Sequence, residues 1–178
     1  YPHCRHAIPL PAPQPLAIVD HLLTTTRSVR KRLNFDRPVP EELIQECLEI
    51  AIQAPSGSNR QPWHFLVITD PEKREAIGEH YRRSFEIYNG ERTRSGSVDR
   101  LPETAQAQMR RVIDSASHLA ENMGRAPALI LPCIEGTAEN ATPSAQAGLW
   151  GSILPAAWSL MLALRARGLG TAWTTLHL

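Results

Sequence analysis

The chain has 178 residues, of which 42% are hydrophobic and 21% are charged, and its formal net charge at pH 7 is +1. This composition is typical of a soluble single domain with a substantial core, and the balanced charge gives no global field that would attract nucleic acid or an acidic membrane surface. The sequence lacks a run of 18 apolar residues and an apolar N-terminal region, so we expect neither a membrane span nor a signal peptide.

Cysteine use favours a reducing compartment. Cys4, Cys47 and Cys133 are odd in number, far apart and outside any C-x-x-C pair, so we expect no disulfide framework and a cytoplasmic location. We also expect no metal site. His3 and His6 flank Cys4, but in a proline-rich segment that spacing is more typical of an incidental grouping than of a zinc site.

Two parts of unequal size are predicted. Residues 1–15 contain five prolines and indicate an extended arm, and residues 16–178 form a single domain. The domain opens with an amphipathic helix over residues 16–26, in which Ile18, Leu22 and Leu23 face inward.

Four cations follow within residues 27–32. Such a run fits a solvated charge cluster, a basic arm for nucleic acid, or a phosphate site. In an extended segment Ser28 and Arg30 share one face, and Arg27 begins the segment, so a hydroxyl and two guanidiniums can converge on one phosphate. No aromatic residue interrupts the cations, which disfavours a site for single-stranded nucleic acid.

The pivotal stretch is the loop at residues 54–65, between a helix predicted over 40–54 and a buried strand predicted over 63–69. The buried stripe of that helix is expected to contain Leu43, Cys47, Ile50, Ala51 and Ala54. Pro55 ends the helix, and the small polar residues after it let backbone amides approach a planar polar ligand. An ordinary helix-to-strand turn has the same composition, so both interpretations stay open at this point.

The second half of the chain alternates helices and strands. The predicted elements are helices over 71–88, 103–123 and 150–167, strands over 128–133 and 171–176, and loops over 89–104 and 135–148, the first of these loops being either a lid or a solvated excursion. The helix over 150–167 is apolar nearly all round, which indicates a central helix or a dimer interface.

Three segments together resemble the nitroreductase-like flavoprotein family: residues 27–30 (Arg-Ser-Val-Arg), residues 55–65 (Pro-Ser-Gly-Ser-Asn-Arg-Gln-Pro-Trp-His-Phe) and residues 168–175 (Gly-Leu-Gly-Thr-Ala-Trp-Thr-Thr). The resemblance runs in order from about Asp20 to Leu178. It implies an α+β fold with three layers, in which helices flank a mostly antiparallel central sheet. It also implies a homodimer that binds FMN between subunits and takes electrons from NADH or NADPH.

The resemblance assigns cofactor contacts residue by residue. Those implied for the phosphate and ribityl chain are Arg27, Ser28, Val29 and Arg30, with Lys31 at the edge. Those implied near the flavin are Pro55, Ser56, Ser58, Asn59 and Gln61 in the loop, some of them from the partner subunit, with Pro155, Trp173, Thr174 and Thr175. Because the cofactor supplies the chemistry, we name no catalytic residue, and His64 is interpreted as a core or supporting residue.

The family pattern is not complete in this sequence. Members usually continue past the position of Leu178 with an arm that carries a basic residue for the phosphate, so we expect a C-terminal segment to be missing and Arg27 and Arg30 to bear more of that role. Iodotyrosine deiodinases share two of the motifs, but their substrate-binding Glu, Tyr and Lys do not recur at matching spacing, although Tyr88 lies near the expected place. A non-catalytic flavin-binding protein is the remaining alternative to a reductase acting on a flat, electron-poor acceptor.

Overall fold

A computed structural model describes residues 16–176 of the chain. The predicted proline-rich arm and the grouping at His3, Cys4 and His6 lie outside the described residues. The elements in chain order are α1 (Leu16–Thr25), α2 (Glu41–Ala51), a 3-10 turn (Gly57–Asn59), β1 (Trp63–Ile68), α3 (Pro71–Arg94), α4 (Glu103–Asn122), a second 3-10 turn (Met123–Arg125), β2 (Leu129–Ile134) and α5 (Pro143–Ala166).

Helices α3 and α5 each begin at a capping residue followed by proline. The carboxylate of Asp70 accepts a hydrogen bond from the backbone N–H of Lys73 at 3.0 Å at the start of α3. The hydroxyl of Thr142 accepts one from the N–H of Ala145 at 3.3 Å at the start of α5. These caps satisfy backbone donors that have no partner inside the helix.

The predicted ends of three helices were wrong. Helix α5 starts seven residues before its predicted start because the cap at Thr142 replaces most of the expected loop over 135–148. Helix α3 runs to Arg94, so the expected loop over 89–104 is reduced to a turn of eight residues, with Arg92 and Arg94 at the negative end of the helix dipole. Helix α2 ends at Ala51, three residues early.

The buried faces of the first two helices also differ from the predicted ones. Helix α2 buries Ile44, Cys47 and Ala51, while Ile50 is exposed, so the stripe is rotated from its predicted position. Helix α1 buries none of its residues, and Ile18 and Leu23, predicted to face inward, are exposed. Amphipathic spacing indicates an apolar face but does not specify that the same chain covers it.

Within residues 16–176 the sheet consists of two antiparallel strands. Trp63 pairs with Ile134 at one end and Ile68 with Leu129 at the other. Residues 171–176, predicted as a third strand, form no strand, since their one backbone bond to a neighbouring segment runs from the N–H of Val29 to the carbonyl of Thr171. A strand needs a ladder of such bonds, and one bond does not make a ladder.

Helices lie on both faces of the sheet. Phe65 and Ile130 pack against the cluster that α2 and α5 form, whereas Leu129 packs against the cluster of Tyr81 and Phe85 between α3 and α4. Neighbouring residues on a strand point to opposite faces, so Leu129 and Ile130 identify the two sides. The fold is therefore α+β, helix-rich with a small antiparallel sheet, as predicted, although β1 is only partly buried.

Helix α5 organises the core. By length and composition it is apolar enough to cross a membrane, a property that it shares with core helices of soluble proteins. Here Leu160, Ala163 and Leu164 pack against α2, and Ile153 and Ala156 pack against Trp63 of β1. The contacts are those of a central helix in a globular domain.

Candidate functional site

The cationic segment that follows α1 forms a turn rather than a strand. Residues 26–29 have no regular structure, and the N–H of Leu33 donates to the carbonyl of Arg30 at 3.1 Å to close the turn. The segment pairs in no sheet, and a turn follows at Arg30, so the shared face of Ser28 and Arg30 stays a prediction. Thr26 begins the segment, buried, with its hydroxyl donating to the carbonyl of Leu22 at 2.6 Å.

The three cations of the motif are in different environments. Arg27 is exposed and donates to the carbonyl of Thr26 at 2.7 Å. Lys31 forms an ion pair with Asp114 of α4. Arg30 is half-buried, and within residues 16–176 its guanidinium has no carboxylate at ion-pair distance. Of the three, Arg30 thus combines partial burial with a charge that is open to an anion.

The last described segment lies beside this turn. The N–H of Val29 donates to the carbonyl of Thr171 at 2.8 Å. A Cβ atom added to Gly170 would lie 3.1 Å from side-chain atoms of Val29 and Leu33, so the absence of a side chain permits the close approach. Two of the three sequence motifs are therefore in contact, although about 140 residues separate them in the chain.

The aromatic and hydroxyl residues of the last segment have contrasting exposure. Trp173 and Thr175 are exposed. The hydroxyl of Thr174 is buried and is the one buried side-chain N or O atom within residues 16–176 that has no hydrogen-bond partner. A buried hydroxyl without a partner is uncommon and marks a position where a polar group would be bound favourably.

The loop between α2 and β1 has an unusual backbone. Ser58, Asn59 and Gln61 have positive φ angles of 54°, 53° and 49°, in the left-handed region that residues with a Cβ rarely adopt. The hydroxyl of Ser56 accepts from the N–H of Gln61 at 3.0 Å and so closes the loop on itself. Pro55, Ser58, Asn59 and Gln61 are largely exposed, which leaves these side chains available to a ligand.

Helix α5 forms a hydrogen bond with this loop. The N–H of Gly57 donates to the hydroxyl of Ser152 at 3.0 Å. Pro155, three residues further along the helix, is half-buried and lacks the N–H that would bond the carbonyl of Gly151. Sequence reasoning missed Ser152, and the one available signal was a small polar residue in a largely apolar helix.

The structure does not join all three motifs. Within residues 16–176, no hydrogen bond connects the loop at 55–61 to the turn at 27–31 or to the segment at 171–175. His64, expected to be a core or supporting residue, is instead exposed on β1, where its Nε2 lies 3.2 Å from the carboxylate of Glu135. The described part of the chain contains no grouping of three or more His, Cys, Asp or Glu that could hold a metal ion.

Comparison with known proteins identifies one matching family and several related proteins. Residues 23–178 match the family model described as the Nitroreductase family. A putative NADH dehydrogenase/NAD(P)H nitroreductase of Methanothermobacter thermautotrophicus is 46% identical over 57 residues, which cover 32% of this chain and 29% of that protein. Iodotyrosine deiodinase 1 of Rattus norvegicus is 30% identical over 154 residues, which cover 86% of this chain and 50% of that protein.

A solved structure agrees with these matches. The crystal structure of oxidized iodotyrosine deiodinase bound to FMN and 3-iodo-L-tyrosine superposes with a TM-score of 0.62 at 25% identity, covering 86% of this chain and 72% of that one. The chain spans half or less of the length of the curated relatives described above.

Proposed function

Because this chain belongs to the nitroreductase family, we propose that it is an FMN-dependent oxidoreductase that passes electrons from NADH or NADPH to a flat, electron-poor acceptor such as a nitroaromatic or a quinone. The observation that carries the proposal is the bond between Val29 and Thr171, which places the half-buried Arg30 and the unpartnered hydroxyl of Thr174 in two touching segments.

The residues present fit a phosphate-bearing cofactor. Arg27 and Arg30 supply guanidinium donors, Ser28 supplies an exposed hydroxyl, and the buried hydroxyl of Thr174 lacks a partner. Guanidinium and hydroxyl groups are the donors that recognise phosphate oxygens. Lys31 is engaged by Asp114, so it contributes charge at the edge of the site rather than a free ammonium.

Other residues suit the ring of the cofactor. The loop at 55–61 presents Ser58, Asn59 and Gln61 from a backbone that holds them outward, and Trp173 offers an exposed aromatic surface. FMN, when bound, supplies the chemistry by accepting a hydride from a nicotinamide and passing electrons to the acceptor. The protein binds and orients, and we assign no side chain as acid, base or nucleophile.

We further propose a homodimer, located in the cytoplasm. Trp150, Leu154 and Trp158 form an exposed apolar stripe along α5, at 45%, 41% and 38% exposure. In one chain the loop at 55–61 is not joined to the turn at 27–31. In a dimer that buries this stripe, the loop of one copy would complete the cofactor site of the other. The free thiols of Cys47 and Cys133 are consistent with a reducing compartment.

Reductive dehalogenation is the second candidate, because the alignment to rat iodotyrosine deiodinase 1 covers 86% of this chain. Tyr88 is exposed near the end of α3 and is available to an aromatic substrate. The departures in the substrate-binding residues make this candidate secondary.

One set of assays separates these activities. The chain is reconstituted with FMN, and oxidation of NADH and of NADPH is followed with a nitroaromatic, with a quinone and without acceptor. Acceptor-dependent oxidation supports the proposal, and iodide release from 3-iodo-L-tyrosine under reducing conditions would instead support the deiodinase. Bound flavin that no acceptor reoxidises would indicate a non-catalytic flavin-binding protein and overturn both.

A further inference from the structure

The loop at 55–61 requires support from outside itself. Three of its residues that carry a Cβ have left-handed φ angles, and each such residue is unfavourable relative to ordinary backbone. The internal bond from the N–H of Gln61 to the hydroxyl of Ser56 fixes the end of the loop but not its position on the domain. A conformation of this kind persists only where surrounding contacts determine it.

The hydroxyl of Ser152 provides an external contact of that kind. Ser152 is 2% exposed, and its Oγ accepts from the N–H of Gly57 at 3.0 Å while donating to the carbonyl of Gly148 at 2.7 Å. The bond to Gly148 lies within α5 and fixes the rotamer of the serine. The acceptor lone pair is thereby held toward Gly57, so a buried side chain of α5 orients the loop.

We propose that Ser152 is a positioning residue for the flavin site: its hydroxyl holds the loop at 55–61 in the left-handed conformation that presents Ser58 and Asn59 to the cofactor. This inference rests on the proposed FMN-dependent function. It assigns a role to a buried residue of the central helix, which acts through the amide of Gly57.

Loss of the hydroxyl would leave the amide of Gly57 facing an apolar side chain. An amide that loses its partner at a partly buried position raises the free energy of that conformation, so the loop would populate others. The variant Ser152→Ala tests this directly, and Ser152→Cys weakens the acceptor with less change in volume. The variant Ser152→Thr keeps the hydroxyl and its bond to the carbonyl four residues earlier.

The matched control is Ser159→Ala. Ser159 lies in the same helix two turns later, and its hydroxyl has no hydrogen bond within the described residues. Ser159→Ala therefore makes the same serine-to-alanine substitution in α5 without removing a hydrogen bond to the loop. Urea unfolding of all variants measures any general loss of stability.

The experiment has two arms. Hydrogen–deuterium exchange of the peptide that spans residues 55–62 is measured by mass spectrometry in the flavin-free chain, and FMN affinity is measured by fluorescence titration. We expect Ser152→Ala and Ser152→Cys to speed exchange in that peptide and to raise the Kd for FMN about 5- to 30-fold, with Ser152→Thr and Ser159→Ala near the wild type.

The outcomes are distinguishable. Equal exchange and equal Kd in Ser152→Ala and Ser159→Ala would overturn the inference, as would faster exchange with no change in Kd. A wild-type chain that binds no FMN would refute the proposed function and, with it, any role of Ser152 toward flavin. If Ser152→Ala does not fold, Ser152→Cys and Ser152→Thr decide the same question.

Discussion

Gly170 lies so close to Val29 that an added Cβ atom would be 3.1 Å from two side-chain atoms of that valine. Val29 cannot easily retreat, because its own N–H is bonded to the carbonyl of Thr171 at 2.8 Å. The φ angle of Gly170 is not positive, so the requirement for glycine here is steric rather than conformational. This contact keeps the cationic turn and the last described segment together.

Replacing Gly170 by alanine is therefore expected to destabilise the fold by about 1–3 kcal/mol, the range for overpacking a close contact. The control is Gly90→Ala, in the interior of α3, where an added Cβ meets nothing within 4 Å. That change should stabilise the fold by roughly 0.5–1 kcal/mol through helix propensity. Urea midpoints measure both, and a Gly170→Ala variant as stable as the wild type would show that the turn can move.

Arg30 should matter more for FMN binding than Arg32. Arg30 is half-buried and open to an anion, whereas Arg32 is exposed. We expect Arg30→Ala to weaken FMN binding by about 1.5–3 kcal/mol, the size of a lost hydrogen bond to a charged group, and Arg32→Ala to have little effect. Equal losses in fluorescence titrations of the two variants would indicate a diffuse cationic patch.

Dimerisation should depend on the apolar stripe of α5. Leu154→Glu places a charge on that stripe, and Ile87→Glu places one on an exposed apolar residue of α3. We expect the first variant to sediment as a monomer with weakened FMN binding, and the second to behave as the wild type, since ligand that binds the dimer stabilises it by mass action. A wild-type chain that is monomeric at nanomolar concentration and still binds FMN with full affinity would contradict a cofactor site formed by two copies.

The two described cysteines should differ in reactivity. Burial raises the pKa of the Cys47 thiol above its usual value, although the Arg167 guanidinium opposes the shift, and Cys47 is fully buried. Cys133 is half-buried, with its Sγ 3.5 Å from the carbonyl of Leu131. We expect iodoacetamide at pH 8 to modify Cys133 first and Cys47 only on unfolding, as mapped by mass spectrometry.

The raised pKa of Cys47 also determines how the free energy of unfolding changes with pH. A thiol whose pKa is higher in the folded state favours folding less as pH rises past the pKa of the unfolded thiol. The contribution of Cys47 should therefore be constant at neutral pH and fall above about pH 8.5, the pKa of an unfolded thiol. Cys47→Ser should flatten that alkaline decline relative to the wild type in urea unfolding, and an unchanged slope would contradict the assignment.

The fold was predictable where local signals are strong. Pro71 after Asp70 marks the start of α3, and the apolar run at residues 63–68 marks β1. The start of α5 was missed because residues 135–148 have the Gly, Thr, Asn, Pro and Ser content of a loop, although Thr142 and Pro143 form a proper helix start. Residues 171–176 have strand composition, but a strand needs a neighbour that composition does not specify.

The sequence indicated which residues belong to the candidate site, but not how those residues are arranged in space. Motif order pointed to Arg30 and to the loop at 55–61, but the bond from Val29 to Thr171 joins residues far apart in the chain. The left-handed angles of Ser58 and Gln61 have no local signal, because serine and glutamine seldom adopt them. Ser152 was missed because its partner Gly57 lies 95 residues away in the chain.

The two-stranded sheet also affects how this chain must be handled. Within residues 16–176 each strand has a hydrogen-bonded neighbour on one side only, and Trp63–Ile68 contains no Asp, Glu, Lys or Arg. Unpaired edges on a β-prone, uncharged segment are templates for aggregation once heat loosens α5 from the sheet. We expect heated samples to precipitate irreversibly, so that a thermal melt reports the rate of association and denaturant titrations report the free energy of unfolding.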